Sequence, residues 1–336
     1  MLQELTRQIR QNEDLSELTA QRALRHILHD EVEDQDIKDF LIAMAEKGEA
    51  VSEIVGFARE MRKSAIAVPN FMDNVVDTAG TGGGKPTFNI STAAAFVISG
   101  AGIPVAKHGN KAITSTTGSA DILNELGVKL CESPELAATS LREAGICFMF
   151  APFFHPAMKR VAGVRREIKT RTIFNMLGPL TNPAGAQYQI IGVFSPFITE
   201  KIARAMSFLE TRAAWIVHSR DGLDELSALA SNRISEVRGG RVQTFELHPE
   251  YLEGDLPPGG TPPENAALVL DILEGREKGT ALEMTALNAA AAIHLAGGKD
   301  MKEALVIARD SISSGMAKRK LEILREISNS EADREE

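Results

Sequence analysis

From about residue 70 onward, short apolar runs typical of β-strands alternate along the chain with segments of helical spacing. The first run, residues 75–77, stops in the glycine cluster of residues 80–84, and helical spacing resumes over 91–98. Further strand-like runs cover residues 104–106, 146–150, 187–193 and 214–217, with helical patterns such as 134–144 and 200–209 between them. This alternation predicts an α/β fold with a mainly parallel central sheet flanked by helices.

Two regions depart from that alternation. Before about Val68, apolar residues recur at three- and four-residue steps with no strand pattern, which predicts a second, small all-helical domain. Residues 234–238 and 241–245, joined by Gly239-Gly240, predict a hairpin at one edge of the sheet. The chain from Asn265 onward returns to helical spacing, and a length of 336 residues fits two domains.

The glycine cluster lies between a strand and a helix, where it can bind an anion. Glycines permit positive φ and close backbone approach, so their amide hydrogens can line a phosphate beside the helix N-terminus. The spacing matches neither GxxxxGK[ST] nor GxGxxG, so the two common nucleotide fingerprints are absent. A merely tight turn is the alternative interpretation. Asn89 and Ser91 are candidate N-caps of the next helix, or ligands of phosphate or metal.

Three further clusters carry candidate chemistry. Residues 107–111, Lys-His-Gly-Asn-Lys, follow a strand-like run, where an open α/β sheet places its ligand, although a solvated polar loop is an equal alternative. Residues 218–225 hold three carboxylates that suit Mg²⁺, or an ordinary acidic turn. Residues 159–171 hold six basic residues, a solvated helix face or a clamp for phosphate or carboxylate, and run into a rigid loop ending at Pro183.

Composition narrows the class of protein. The net charge of -9 argues against nucleic acid and anionic membranes as partners, because both require a basic surface. The start of the chain has no apolar signal region, and the weakly polar stretch 92–106 is shorter than the roughly 20 residues that span a bilayer. Cys131 and Cys147 have no CxxC spacing and are expected to be buried, reduced thiols. A cytoplasmic enzyme acting on a phosphorylated substrate through Mg²⁺ is the resulting hypothesis.

Four stretches in this order resemble the anthranilate phosphoribosyltransferase family of tryptophan biosynthesis. They are DTAGTGGGKPTFNIST (77–92), KHGNKAITSTTGSAD (107–121), HPAMKRVAGVRREIKTRTIFNMLGPLTNP (155–183) and VHSRDGLDELS (217–227). The resemblance implies a helical domain of residues 1–70 plus about 165–185, and a phosphoribosyl-binding α/β domain of 71–164 plus 186–336. It also implies a homodimer and a transferase that moves the 5-phosphoribosyl group of phosphoribosyl pyrophosphate (PRPP) to the amine of anthranilate, releasing pyrophosphate.

The resemblance further assigns site residues. Lys107, Asn110 and Arg165 would act in catalysis, and Ser91, Asp224 and Glu225 would bind Mg²⁺. Anthranilate would contact Gly80, His108, Asn110, Arg165 and Gly178. PRPP would contact Gly80, Thr81, Gly82, Gly83, Thr87, Asn89, Ile90, Ser91, Thr92, Lys107, Ser115 and Ser119.

The glycine loop departs from the family pattern. That pattern commonly reads GTGGDG before two variable residues, whereas residues 83–86 here, Gly-Gly-Lys-Pro, make the loop one residue shorter and omit the aspartate. No role of that aspartate carries over, and Lys85 is a candidate for a phosphate contact in its place. Lys111 stands where arginine is usual, which removes a possible bidentate contact.

Two other classes of protein share features with this pattern. A pyrimidine nucleoside phosphorylase shares the broader fold, but the DGLDE pair and the LGPLTNP loop favour metal-bound pyrophosphate instead. A nucleic-acid-binding relative without catalysis would need a basic groove and would lack Asp224 and Glu225, which this chain retains.

Overall fold

A seven-stranded sheet forms the centre of the protein. The computed structural model describes residues 1–70, 72–112, 117–250 and 253–330. The strands are β1 (Val76–Gly80), β2 (Val105–Gly109), β3 (Ile146–Phe150), β4 (Tyr188–Gly192), β5 (Ala213–Ser219), β6 (Asn232–Arg238) and β7 (Arg241–Leu247). Their order is β3-β2-β1-β4-β5-β6-β7, with β1 to β5 parallel and β6 and β7 antiparallel. The predicted mainly parallel sheet and its edge hairpin are confirmed.

Helices surround this sheet. They are α1 (Leu2–Arg10), α2 (Glu17–His29), α3 (Asp34–Lys47), α4 (Val51–Ser64), α5 (Ile90–Gly100), α6 (Ser119–Glu125), α7 (Pro134–Ala144), α8 (Ala151–Phe154), α9 (Ala162–Glu167), α10 (Phe174–Leu177), α11 (Thr199–Met206), α12 (Pro262–Leu273), α13 (Thr280–Gly297), α14 (Met301–Ser313) and α15 (Met316–Ser330). Short 3₁₀ turns lie at Pro156–Val161, Gly178–Leu180 and Pro196–Ile198. No helix in the described part of the chain is long and apolar enough to cross a membrane.

The two faces of the sheet pack against different sets of helices. On β5, Trp215 and Val217 join one core, while Ile216 between them joins the other, because successive side chains on a strand point to opposite faces. The first core contains residues of α5, α12, α13, α14 and α15. The second contains residues of α1 to α4, α9, α10 and α11. The all-helical N-terminal region therefore packs against the same face as residues 161–180.

Close packing and buried ion pairs hold the N-terminal helices together. A Cβ at Gly56 of α4 would collide with the backbone of α2, so only glycine permits this approach. Glu60 of α4 is buried and accepts two hydrogen bonds from Arg25 of α2, at 2.8 Å each. The pKa of Glu60 is lowered, chiefly by its hydrogen bond with Arg25, so the carboxylate stays ionised.

The strand order creates a crevice at one edge of the sheet. From β1 the chain proceeds to β2 and β3 on one side, and β4 and β5 lie on the other side of β1. Ligands of open α/β sheets bind outside the carboxyl ends of the strands at such a switch point. Residues 151–187 connect β3 to β4, and the glycine loop follows the carboxyl end of β1. Cys131 and Cys147 are buried, as expected.

Candidate active site

A cleft of about 1320 Å³ opens at the carboxyl ends of β1 and β2. Its walls come from the glycine loop, the end of β2, residues 151–181 and the carboxylates 224–225, so the four sequence clusters share one cavity. Ligand pockets commonly measure about 300–1,000 Å³, so this cleft has room for two substrates. The predicted residues on its wall are Gly80, Thr81, Gly82, Asn89, Ser91, Lys107, His108, Asn110, Ser119, Arg165, Gly178, Asp224 and Glu225.

Four of the remaining predicted residues lie elsewhere. Gly83, Thr87, Ile90 and Thr92 do not line the cleft, and Ser115 lies outside the described residues. The hydroxyl of Thr87 donates to the Pro257 carbonyl at 2.7 Å, and Thr92 is buried.

Asn89 holds the wall of the cleft together. It occupies the N-cap position of α5, but its side chain makes no capping hydrogen bond, so the first of the two roles considered from the sequence holds for its position only. Its amide instead donates to the Thr117 carbonyl at 3.1 Å and accepts from Asn265 at 3.1 Å. Asn89 therefore joins the cleft to helix α12, which carries Asn265.

The glycine loop is fixed at both ends. The Thr81 amide donates to the Gly192 carbonyl at 2.8 Å, where β4 ends, and the Lys85 amide donates to the Gly222 carbonyl at 2.9 Å. Gly82 and Gly83 have φ values of 67° and 91°, which favour glycine. A Cβ at Gly84 would collide with Asp224. The short loop therefore lies directly on the segment that carries the two carboxylates.

Lys107 and Ser91 face those carboxylates. Lys107 is buried, and its ammonium donates to the Thr78 carbonyl and to Ser91 Oγ, the latter at 3.2 Å. Burial lowers the pKa of Lys107, whereas Asp77 and Glu225 oppose that shift. Burial raises the pKa of Glu225 to about 8, and the neighbouring Asp224 carboxylate adds to the rise. The carboxylates of Asp77 and Glu225 thus both interact with the one buried ammonium of Lys107.

The chemistry of this donor set fits a divalent cation. Burial raises the pKa of both Asp224 and Glu225, so additional positive charge beside them would stabilise their ionised forms. Within the described ranges, no cluster of three His, Cys, Asp or Glu side chains could hold a metal ion. Mg²⁺ needs no such cluster, because it is usually bound by one or two carboxylates together with waters and substrate phosphates.

Another part of the cleft wall carries two neutral histidines, His108 and His155. The rings of His108 and His155 lie 5.0 Å apart between centroids, and His108 Nδ1 lies 3.3 Å from the Gly178 carbonyl. That carbonyl can only accept, so Nδ1 carries the proton and Nε2 is left as an acceptor. Burial lowers the pKa of His108 to about 3 and of His155 to about 4. Both rings are therefore uncharged polar groups at neutral pH.

Arg165 supplies the cation on this wall. It is half-buried, with its guanidinium carbon 5.3 Å from the centre of the Phe174 ring, and burial alone lowers its pKa. No described residue forms an ion pair with Arg165. Its fork of N–H groups is available to a ligand carboxylate.

Several residues around the cleft were assigned no role from the sequence. His155 follows α8, just beyond the carboxyl end of β3. Residues beyond the carboxyl end of a parallel strand were expected to face the ligand, which identified Lys107 and Asn110 at β2, and the same rule would have found His155. Asp77, Asn182 and Asn265 act through contacts with distant segments, for which the sequence offered no signal. Arg171 belongs to the basic cluster that the sequence singled out, but its contact with the glycine loop was not predicted.

Comparison with known protein families identifies the family of this chain. Residues 72–318 match the model of the glycosyl transferase family, a/b domain, and residues 3–65 match its helical bundle domain. The anthranilate phosphoribosyltransferase of Desulfosudis oleivorans is 48% identical over 324 residues, which cover 94% of this chain and 96% of that protein. This chain belongs to the anthranilate phosphoribosyltransferase family. The family relative from Methanosarcina mazei is 47% identical, covering 94% of this chain and 86% of that protein.

Solved structures of anthranilate phosphoribosyltransferases share the whole fold. The enzyme of Thermus thermophilus has a TM-score of 0.90 and 40% identity, covering 96% of this chain and 98% of that chain. The Saccharomyces cerevisiae enzyme in complex with PRPP and Mg has a TM-score of 0.89 and 28% identity, covering 98% of both chains. The protein is thus a glycosyltransferase with an α/β domain and a helical bundle.

Proposed function

We propose that this protein transfers the 5-phosphoribosyl group of PRPP to the amine of anthranilate, releasing pyrophosphate, in tryptophan biosynthesis. One observation carries the proposal: a single cleft has one wall that holds the glycine loop, Lys107 and two carboxylates, and another wall that holds Arg165, which forms no ion pair with a described residue. The first wall suits a metal-bound pyrophosphate and the second a carboxylate on an aromatic ring. The comparisons support both substrates, because the relatives are named anthranilate phosphoribosyltransferases and the yeast relative was solved with PRPP and Mg.

The wall with the glycine loop, Lys107 and the two carboxylates would stabilise the leaving pyrophosphate. The anomeric carbon gains positive charge as its bond to pyrophosphate breaks, so stabilising the departing oxygens is the main requirement. The amides of Gly80 and Gly82 and the ammonium of Lys107 would bind those oxygens, whereas the Thr81 amide is already bonded to Gly192. Mg²⁺, bound by Asp224, Glu225 and the Ser91 hydroxyl, would supply further positive charge to the phosphates.

The wall with Arg165 would orient anthranilate, the acceptor of the phosphoribosyl group. Arg165 would pair with the ring carboxylate through two parallel N–H donors, which directs the amine toward the ribose carbon for attack with inversion. An aniline-type amine is neutral at pH 7 and needs no strong base to activate it. His108, Asn110 and the Gly178 backbone would hold the ring. Because its pKa is lowered, His108 is suited to orienting the ring rather than to acting as a general base.

The assignment of individual residues is part of the proposal. Arg165, Lys107 and Asn110 act in catalysis, and Gly80, His108 and Gly178 contact anthranilate. PRPP binding is assigned to Gly80, Thr81, Gly82, Gly83, Thr87, Asn89, Ile90, Ser91, Thr92, Lys107, Ser115 and Ser119. Thr87 would act by holding the loop rather than by facing the cleft, through its bond to Pro257.

We also propose how the chain is organised. Residues 1–70 with about 165–185 would form the helical domain, supported by the core that unites α1 to α4 with Val164, Phe174 and Leu177. The remaining residues would form the α/β domain. A cytoplasmic homodimer without nucleic-acid or membrane partners is expected from the family likeness and the net charge of -9. Light scattering coupled to size exclusion tests the dimer.

The test of the activity is the loss of anthranilate fluorescence on mixing the purified protein with PRPP and Mg²⁺. We expect turnover that EDTA abolishes and excess Mg²⁺ restores, with one pyrophosphate released per anthranilate consumed. Pyrophosphate release without loss of anthranilate would indicate another acceptor. The absence of both would reject the proposed reaction.

A further inference from the structure

Arg171 lines the cleft and connects the segment 162–180 to the glycine loop. Its Nη2 donates to the Gly83 carbonyl at 3.2 Å, and its guanidinium carbon lies 4.0 Å from the centre of the Phe194 ring. A Cβ at Gly83 would collide with this guanidinium. A planar cation that stacks on a ring while donating in its own plane is a geometry that lysine cannot reproduce.

Both partners of Arg171 belong to one fixed unit of the α/β region. The Phe194 amide donates to Thr81 Oγ1 at 3.1 Å, and the Thr81 amide donates to the Gly192 carbonyl at 2.8 Å. The end of β4 and the glycine loop therefore hold each other, and they present the Phe194 ring and the Gly83 carbonyl together.

The backbone of Arg171 belongs to the other wall. The next residue, Thr172, is buried, and its amide donates to Asn175 Oδ1 at 2.9 Å. The same segment, residues 162–180, carries Arg165 and Gly178. Arg171 is thus a link between the segment that faces the acceptor and the loop that faces the donor.

We propose that Arg171 is a positioning residue that latches residues 162–180 to the glycine loop and so fixes the distance between the two substrates. Its kinetic consequence rests on the proposed function. Transfer requires the amine and the anomeric carbon to meet in line, and a misplacement of about 1 Å can cost about 100-fold in rate. The latch sets the turnover rate and leaves the binding of each substrate to other residues.

Hydrogen exchange of the substrate-free protein tests the latch without any turnover. In Arg171→Gln and in Phe194→Leu, the amides of residues 80–85 should exchange faster than in the wild type, because the loop loses a support. Helix α7 (Pro134–Ala144) should exchange unchanged in the same samples, which also shows that the variants fold. Unchanged exchange over 80–85 in both variants would overturn the latch, whether or not the protein turns over PRPP.

Kinetics test its consequence. Arg171→Gln should lower kcat about tenfold or more, with the dissociation constants of PRPP and anthranilate, measured singly by calorimetry, nearly unchanged. Phe194 does not line the cleft, so Phe194→Leu should lower kcat only through Arg171, and the double variant should be no slower than Arg171→Gln alone. Arg171→Lys should recover part of kcat, and Arg142→Gln, on the surface of α7, should match the wild type.

The outcomes separate the two proposals. A loss confined to PRPP affinity, or additive effects of the two substitutions, would make Arg171 a ligand rather than a latch. A wild type that exchanges as expected but does not consume anthranilate would reject the proposed reaction and leave the latch supported.

Discussion

The Asn182 side chain donates to Asp77 Oδ2 at 2.8 Å inside the protein, joining the first strand to the segment that returns to the sheet. The same amide group donates to the Ala106 carbonyl at 2.8 Å, and Asp77 Oδ1 accepts from the His108 amide at 3.2 Å. One buried carboxylate therefore positions the backbone of β2 beside the cleft and anchors the far end of residues 151–187. Burial raises the pKa of Asp77 to about 6, against the attraction of Lys107.

Replacing that carboxylate should destabilise the protein. In Asp77→Asn, either the His108 amide or the Asn182 amide faces a second donor, and we expect a loss of about 1–3 kcal/mol. Urea unfolding followed by circular dichroism measures it. Asp310→Asn is the matched control, because Asp310 is exposed on α14. Equal midpoints for Asp77→Asn and the wild type would contradict the anchoring role.

Removing Arg165 should weaken anthranilate binding selectively. The guanidinium forms no ion pair with a described residue, so its loss removes the charge-assisted bidentate contact with the ligand and the contact with the Phe174 ring. We expect Arg165→Ala to raise the KM for anthranilate about 10- to 100-fold, with a much smaller change in the KM for PRPP. Arg165→Lys keeps the charge without the fork and should recover only part of the affinity. Equal changes for both substrates would reject this role.

The sequence predicted most of the site because of where its clusters fall along the chain. The glycine loop follows β1, Lys107 to Asn110 end β2, and Asp224 and Glu225 follow β5, and parallel strands bring such ends to one edge. Contacts between distant segments were not predictable. Asn182 and Asp77 are 105 positions apart and Asn265 and Asn89 are 176 apart, and nothing in local spacing pairs them.

The missing side chain at Gly84 gives a test of the shortened loop. A Cβ there would collide with the Asp224 backbone and carboxylate, so Gly84→Ala should displace Asp224. We expect the Mg²⁺ concentration for half-maximal activity to rise about tenfold, roughly the loss of one ligand contact of 1.4 kcal/mol. Gly163→Ala is the matched control, since no atom lies within 4 Å of a Cβ at that position. An unchanged Mg²⁺ requirement in Gly84→Ala would show that the loop yields instead of Asp224.

Buried neutral histidines should make the folded state sensitive to acid. Burial lowers the pKa of His155 from the ordinary 6.5 to about 4, so between these values the unfolded chain binds a proton that the folded protein does not. Stability conferred by neutral His155 is therefore complete above about pH 6.5 and is lost as the pH falls toward 4, by at most about 1.4 kcal/mol per pH unit. In His155→Gln, the loss of unfolding free energy between about pH 7 and pH 5 should be smaller than in the wild type. Urea unfolding at the two pH values measures it, and His29→Gln, on the surface of α2, should behave as the wild type. Equal losses in His155→Gln and the wild type would mean that His155 takes up its proton in the folded protein as readily as in the unfolded chain.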